Sequence, residues 1–348
     1  MVNLRRRRRL AAGAALIAAA LLLAACAPPS TASPSASPRV TRTAEPSPTA
    51  TPTPTPVVHT APLRGTVVTD AVTGPALSAK IDNHPDARPQ WGLERTDIVF
   101  EELVEGGITR YVAVWHSTVP EEIGPIRSIR PMDPDIIAPL GGIVAYSGGQ
   151  ARFVRMMKDT DVHNAIHGGT DDRFMYRTNA HAAPHNVIVE APKLRAKYAT
   201  LAPPAPQFLF APRGHAPIFG AASGGIDVRF SPESARSWRW DAGAAAYLRS
   251  QNGRADVDAS GKRLQATNVV VLKVAIDWSY GIVPRTVMVG TGDAWVSTGG
   301  SVIRGRWSKQ SQTAPIALTN AADGDIRLAP GNTWVELVPT AGSVSVVG

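Results

Sequence analysis

The apolar and polar positions between residues 77 and 190 follow two different periods in turn. Strands are predicted where β-branched and aromatic residues cluster or alternate, over residues 77–82, 97–105, 108–117, 143–147 and 186–190. Short helices are predicted after strands, over residues 133–139, 150–158 and 192–198. This order of elements predicts a mixed α/β domain.

The most specific stretch is a predicted β-hairpin followed by an arginine pair. Gly106 and Gly107 separate two of the predicted strands, and glycine readily takes the positive φ of a tight turn. Arg127 and Arg130 follow, and Asp133 opens the next helix. Charged groups of both signs therefore meet where a strand ends, which is where α/β sheets place ligand sites. An ion-paired surface turn would give the same pattern.

From about residue 226 the pattern changes to short strands separated by turn residues such as Asn-Gly and Gly-Gly. Strands are predicted over residues 244–249, 268–277, 285–289, 294–297, 302–307 and 333–338. The predicted fold class is therefore α+β, with an N-terminal mixed α/β domain followed by a small antiparallel all-β domain. Six of the eight tryptophans lie in this second part, where they either pack in the core or form a surface that stacks on sugar rings.

The N-terminus carries the marks of a lipoprotein signal peptide. Five arginines precede an apolar stretch, which ends in Leu-Ala-Ala-Cys at residues 23–26 and resembles a bacterial lipobox. We therefore expect a lipid on Cys26 and a location on the extracytoplasmic face of a bacterial cell membrane. Because Cys26 is the one cysteine in the sequence, the chain has no disulfide, no paired-cysteine metal site and no second thiol to act as a nucleophile.

Composition sets the predicted domain boundaries. Pro, Ser and Thr dominate a segment that cannot bury enough apolar surface to fold, and prolines again cluster after the mixed domain. The predicted organisation is a signal peptide (1–25), a Pro/Ser/Thr-rich tether (26–61), a mixed α/β domain (62–205), a linker or crossover (206–225) and an all-β domain (226–348).

Charge and motifs exclude several classes of function. The net charge of +8 falls to +3 once the five leader arginines are removed, so no nucleic-acid partner is expected. The sequence contains no serine-hydrolase elbow, no phosphate-binding P-loop and no full dinucleotide fingerprint. The histidine pairs 163/167 and 181/185 lie outside convincing helices, so no metal site and no cofactor are predicted.

Longer motifs carry a family resemblance. The run from Lys80 to Ser117, then GPIRSIRPMD, AYSGGQ and the APHN of residues 183–186, is similar to the YerB-like lipoproteins. GRWSK at 305–309 and PGNTWVELVP at 330–339 resemble the second domain of that family. The resemblance covers residues 62–348 and implies an architecture and a location rather than a reaction.

A second, shorter resemblance is to the LytR-CpsA-Psr glycopolymer transferases. Asp97 opens the hairpin, a Ser-Ile-Arg-Pro-Met-Asp run ends at Asp133, and Ala-Tyr-Ser-Gly-Gly follows around Tyr146. In that family arginines bind a polyprenyl pyrophosphate and aspartates bind magnesium, so this resemblance implies an anion site with a divalent cation. Here the Arg and Pro of the motif are inverted and a Met precedes the Asp.

Two functions are therefore predicted as alternatives. The first is a non-enzymatic, lipid-anchored envelope module that binds a cell-wall polymer or a wall-synthesis protein. The second is a glycopolymer or prenyl-phosphate transferase-like enzyme built on Arg127, Arg130 and Asp133. The candidate ligand-binding residues are Arg127, Arg130, Asp133, Asp97, Tyr146, Arg177 and His185.

Overall fold

A computed structural model describes residues 58–169, 171–212 and 220–348. The predicted signal peptide, Cys26 and the tether up to residue 57 lie outside the described residues. Over the described part of the chain, the helices are all too short or too polar to span a membrane.

Strands dominate the fold and helices are few. The α-helices are α1 (Asp133–Ile137), α2 (Ala151–Lys158) and α3 (Ala191–Lys197). The strands of the first half are β1 (His59–Thr60), β2 (Val67–Val68), β3 (Leu77–Asp82), β4 (Ile98–Leu103), β5 (Thr109–Trp115), β6 (Glu122–Ile123), β7 (Ile143–Tyr146), β8 (His163–Ile166), β9 (Met175–Arg177) and β10 (Val187–Glu190). Those of the second half are β11 (Ala221–Ala222), β12 (Gly225–Ser231), β13 (Ser234–Asp241), β14 (Ala246–Gln251), β15 (Arg254–Ala255), β16 (Gln265–Ala266), β17 (Asn268–Val274), β18 (Ile276–Asp277), β19 (Arg285–Thr286), β20 (Gly290–Thr298), β21 (Ser301–Lys309), β22 (Ala317–Asn320), β23 (Thr333–Pro339) and β24 (Ser343–Val347).

One large sheet joins the two halves of the chain. Its order is β11-β21-β20-β17-β23-β4-β5-β3-β7-β8, and β22 pairs with β21. Strand β23, near the C-terminus, lies between β17 and β4 and runs parallel to both. Strands β3, β7 and β8 are also parallel, and the remaining pairs of this sheet are antiparallel.

Both faces of the central part of this sheet are covered, and strands β3, β4, β5, β17 and β23 are buried along most of their length. One face packs against α1 and α2, with Phe100, Val112 and Phe153 in a shared core. The other face packs against α3 and a six-stranded sheet of β15-β14-β13-β12-β24 with β16, where Tyr111, Trp238 and Trp334 meet. A three-stranded sheet, β6-β10-β9, borders the same side.

The predicted elements of the first half are confirmed to within two residues at each end. Strands β3, β4, β5, β7 and β10 and all three helices form where the pattern predicts them. The turn between β4 and β5 holds Gly106 at φ 70° and Gly107 at φ 72°, as the predicted hairpin requires.

The prediction of an antiparallel C-terminal domain is only partly right. The six-stranded sheet is antiparallel, but β17 and β23 are parallel and extend the sheet of the first half. Strand β23 is buried on both faces because it is a central strand, and a short, mostly apolar run does not reveal which strand it will pair with. Strands β12 and β13 were not predicted, although Ile226, Val228 and Phe230 alternate with polar residues.

Candidate functional site

Charged residues line one face of the central sheet near the end of β3. Side chains alternate along a strand, so Lys80 and Asp82 of β3 share the face that carries α1 and α2. In the register of the sheet, Arg110 of β5 lies directly opposite Asp82 of β3 on one side and Glu102 of β4 on the other. Four charged residues from three adjacent strands therefore lie side by side on a face of the sheet that helices cover.

The deepest of these groups is an ion triad around Lys80. Its ammonium donates to Glu102 and, at 2.7 Å, to Oδ1 of Asp133, and all three side chains are fully buried. Burial, opposed by the charge of Asp133, lowers the pKa of Lys80 to about 8. Asp133 also accepts the backbone N–H of Arg130 at 2.5 Å, so it anchors the start of α1 to the sheet. The predicted site residue Asp133 is thus a buried ion-pair partner.

Three arginines meet above the triad. Arg110 Nη1 donates to the carbonyl oxygen of Ser128 at 3.1 Å, and Arg130 Nη1 donates to the same oxygen at 3.4 Å. Arg130 Nε lies 2.8 Å from Glu105, and Arg127 Nε lies 3.0 Å from Asp82.

Arg110 differs from the other two arginines. Within the described part of the chain, no carboxylate oxygen comes within 4.0 Å of its nitrogens, and its Nε has no hydrogen-bond partner. Burial, and then repulsion from Arg130, lower the pKa of Arg110 to about 10. Asp82 and Glu105 oppose this shift from beyond ion-pair distance, so the charge of Arg110 is only partly compensated.

Asp82 joins two of the predicted site residues. Its Oδ2 lies 3.0 Å from Arg127 Nε and 2.7 Å from Nδ1 of His185. The imidazole of His84 stacks on that of His185, with ring centroids 4.4 Å apart. Arg177 extends the group along β9, where Nη1 donates to Oδ1 of Asn186 at 2.7 Å.

The structure keeps two predicted site residues away from this group. Asp97 lies at the opposite end of β4, where Oδ2 accepts the backbone N–H groups of His116 and Ser117, each at 2.7 Å. Tyr146 is near Asp133 but fully buried, and its hydroxyl donates to Oδ1 of Asn164 at 2.9 Å. Burial, and then the charge of Asp133, raise the pKa of Tyr146.

A groove of about 600 Å³ opens beside Glu105. Its walls are the β4–β5 turn, the β12–β13 turn, the loop between β18 and β19 and the β23–β24 turn. Trp278 and Ile282 of that loop are 57% and 82% exposed, whereas Trp238, Trp307 and Trp334 are buried in the cores. Glu105, Arg229 and Ser231 add polar groups to the same walls. The exposed tryptophan and these polar groups therefore face one open space.

Comparison with known proteins decides the family. Residues 63–203 match the family described as "Protein of unknown function (DUF3048) N-terminal domain", and residues 226–335 match its C-terminal domain. The chain is 26% identical over 307 residues to "Putative lipoprotein YerB" of Bacillus subtilis (strain 168), which covers 82% of this chain and 88% of that protein. The chain belongs to this YerB-like family.

The crystal structure of YerB from Bacillus subtilis has the same fold. The superposition has a TM-score of 0.71 at 24% identity and covers 82% of this chain and 99% of that structure. The resemblance to YerB-like lipoproteins predicted from motifs is thereby confirmed, together with a two-domain architecture that is mostly strands. The two matched domains of this YerB-like chain share the central sheet.

Sequence reasoning missed several residues of the charged face, namely Lys80, Asp82, His84, Glu105 and Arg110. A signal was present, since polar residues alternate with apolar ones along β3. That alternation ordinarily indicates a solvated face. Here the same face is covered by α1, a relationship that depends on residues more than 50 positions away.

Proposed function

We propose that the protein is a non-enzymatic, lipid-anchored module on the extracytoplasmic face of a bacterial membrane, and that it binds a cell-wall polysaccharide in the groove at Trp278. The lipobox-like residues 23–26, the Pro/Ser/Thr-rich tether and the printed name of the YerB relative support the anchor. The exposed indole in an open groove is the observation that carries the ligand class.

An exposed tryptophan suits a sugar ring for a physical reason. The indole face offers a flat apolar surface to the C–H face of a pyranose, while polar groups at the rim bind hydroxyl groups. Trp278 supplies the face, and Glu105, Arg229 and Ser231 supply the rim. The groove is open to solvent rather than enclosed, so a polymer segment lying along it fits better than a small molecule that must be surrounded.

The charged face supports binding over catalysis. Arg127, Arg130 and Asp133 each have a partner of opposite charge, and Asp133 is fully buried. A general acid or base must reach the substrate within hydrogen-bond distance. These groups are occupied by structural ion pairs, so we assign them to the framework that positions the β4–β5 turn.

The anchor is tested by replacing Cys26. Cys26→Ala removes the thiol that would carry the lipid, so we expect the variant to leave the membrane fraction or to accumulate as a precursor. Cell fractionation and the size of the chain on a gel measure both outcomes. Unchanged size together with unchanged membrane association would exclude lipidation.

The groove is tested by sedimentation with purified cell-wall polysaccharide. Trp278→Ala should weaken binding by about 1 to 3 kcal/mol, the range for a nucleic-acid base stacked on an aromatic side chain, applied here to a sugar ring. Val289→Ala is the matched control, because Val289 is an exposed apolar residue outside the groove walls. Equal binding by wild type and Trp278→Ala would refute the groove. Capture of a wall-synthesis protein without binding to polysaccharide would replace the proposed ligand class.

A second candidate function rests on Arg110 together with its neighbour Arg130, since both donate to the carbonyl oxygen of Ser128. An arginine that is buried, without a carboxylate partner and close to two other arginines is suited to an anionic ligand. The ligand class is a polyprenyl pyrophosphate, as in the transferase-like alternative, with a divalent cation to balance the ligand's charge.

This candidate is tested with pyrophosphate lipids, with and without Mg²⁺. Arg130→Ala should lose about 1.5 to 3 kcal/mol of affinity if the site binds the lipid, the range for charge-assisted hydrogen bonds. Arg130→Lys keeps the charge but not the two-pronged contact and should recover only part of that loss. A lower melting temperature with no saturable lipid binding by the wild type would leave Arg130 as a structural partner of Glu105.

A further inference from the structure

A cluster of metal-ligating side chains lies at the outer edge of the charged face. His84, Asp86 and His185 each offer one ligand atom, and these three atoms lie within 4.8 Å of one another. The side chain of Asp86 is exposed, that of His84 is partly exposed, and that of His185 is largely covered. We propose that these residues form a binding site for a divalent transition-metal ion of the Zn²⁺ class.

The spacing of His84 and Asp86 already fits a shared ion. His84 Nδ1 lies 3.5 Å from Asp86 Oδ2. Two ligand atoms that are each about 2.0 to 2.1 Å from a tetrahedral zinc ion lie roughly 3.3 Å apart. A turn brings this pair together, because His84 directly precedes the short 3-10 helix Pro85–Ala87. In this structure Nδ1 of His84 accepts the N–H of Asp86, and that hydrogen bond is given up when Nδ1 binds an ion.

His185 is presented as a ligand by Asp82. The Oδ2 of Asp82 lies 2.7 Å from Nδ1 of His185, which leaves Nε2 for an ion. A carboxylate that holds the second nitrogen of a histidine fixes its tautomer and orientation, as is usual at metal centres. Asp82 ends a central strand and is itself held by Arg127, so His185 is the rigid member of the set.

Binding requires one local movement. The two imidazole rings are nearly parallel, at 16°, so their in-plane lone pairs also run nearly parallel. The side chain of His84 is 38% exposed and can turn toward His185, whose ring is held by Asp82. Two imidazoles and one carboxylate then leave a fourth tetrahedral position open for water or for an external ligand.

Zn²⁺ uptake by the untagged full-length chain in detergent tests the site. After treatment with a chelator, the wild type is expected to bind one Zn²⁺ per chain in competition with a metal-sensitive dye. His84→Ala and His185→Ala should each weaken binding by at least tenfold. Co²⁺ in place of Zn²⁺ should give visible absorption bands that both variants lose.

Controls separate this site from other histidines and from misfolding. His167→Ala removes a histidine that is also paired with an aspartate, Asp172, and should bind as the wild type does. Asp82→Asn should weaken binding by about 10- to 100-fold without removing a ligand. Circular dichroism verifies that each variant is folded. The proposal would be overturned by a folded wild type that takes up no Zn²⁺, or by His84→Ala and His185→Ala proteins that bind Zn²⁺ as tightly as the wild type.

Discussion

Lys80 places a cation between two carboxylates in the interior of the protein. Its partners Glu102 and Asp133 are also fully buried. Removing one member of a buried ion group is costly because it leaves the other charges without a partner and without water. The triad therefore secures α1 to β3 and β4, and through them the position of the arginines.

Lys80→Met should lower the free energy of unfolding by about 3 to 5 kcal/mol, because methionine fills a similar volume but leaves two carboxylates uncompensated. Urea denaturation followed by circular dichroism measures the change. Arg306→Met is the control, since its pair with Asp293 is 3.7 Å long and more than half exposed on both sides. The control should lose no more than about 1 kcal/mol. Similar small losses in both variants would contradict the role of the triad.

Glu336 is a buried acid on the opposite face of the sheet. It lies beside Glu101 in the register of β23 and β4, and Trp238 Nε1 donates to its Oε1 at 2.7 Å. Burial, and then the charge of Glu101, raise the pKa of Glu336 to about 8 from its ordinary value of 4.5. The carboxyl group is therefore protonated in the folded protein at neutral pH.

This shift predicts a pH dependence of stability. Between about pH 4.5 and pH 8 the folded protein binds a proton at Glu336 that the unfolded chain has lost, so stability falls as the pH rises through this window. Glu336→Gln cannot titrate and keeps an acceptor for Trp238. We expect it to gain about 1 kcal/mol or more relative to wild type between pH 5 and pH 8. Thermal unfolding at several pH values measures this, with the exposed Glu121→Gln as control. A constant difference between Glu336→Gln and wild type would refute the shift.

At the scale of elements, the start of β7 depends on a close backbone approach. Gly141 and Gly142 both have positive φ, at 60° and 67°. A Cβ on Gly142 would lie 2.4 Å from the carbonyl oxygen of Ala76, whereas a Cβ on Gly141 would meet nothing within 4 Å. The same carbonyl accepts the N–H of Ile143, so this contact sets the parallel register of β3 and β7.

The two glycines form a matched pair for mutation. Gly141→Ala should cost about 1 to 2 kcal/mol of stability from backbone strain alone. Gly142→Ala should cost about 2 to 5 kcal/mol, because β7 must also move away from the Ala76 backbone. Chemical denaturation of both variants measures the difference. Equal losses would mean that the approach to Ala76 does not matter.

At the scale of the whole molecule, a buried ion network joins the two halves of the chain. Glu101 of β4 accepts from Arg236 Nε at 2.7 Å and from Arg249 Nη2 at 2.5 Å, and Arg249 also pairs with Asp256. Burial opposes ionisation of Glu101, but the two arginines hold its pKa at about 2. This network and the pairing of β23 with β4 both connect the first half of the chain to the second. We therefore expect the two halves to unfold together as one unit.

Unfolding should therefore be a single cooperative transition. Tryptophan fluorescence and circular dichroism are expected to give the same urea midpoint for the wild type. Glu101→Gln should lower stability by about 3 to 5 kcal/mol, since it leaves two buried guanidiniums undercompensated. The exposed Asp227–Arg239 pair supplies the control, because Asp227→Asn should change stability by less than about 1 kcal/mol. Two separate transitions in the wild type would contradict this coupling.

Local pattern was enough to predict most elements of the first half. The hairpin at Gly106 and Gly107, strand β3 and all three helices follow from turn chemistry, alternation and start signals, which act over a few residues. The motifs also sufficed for the family. Arg127 and His185 were predicted as site residues, and the structure brings them together on Asp82.

Tertiary structure alone decided the pairing of distant strands and the partners of the charged groups. The sequence by itself determined that β23 is a strand, but its place between β17 and β4 depends on side-chain packing across more than 200 residues. Likewise, Asp97 and Asp133 are both acidic residues near a strand or helix terminus. One caps a loop through backbone N–H groups and the other neutralises Lys80, because burial and neighbours, which no local pattern encodes, set what each carboxylate contacts.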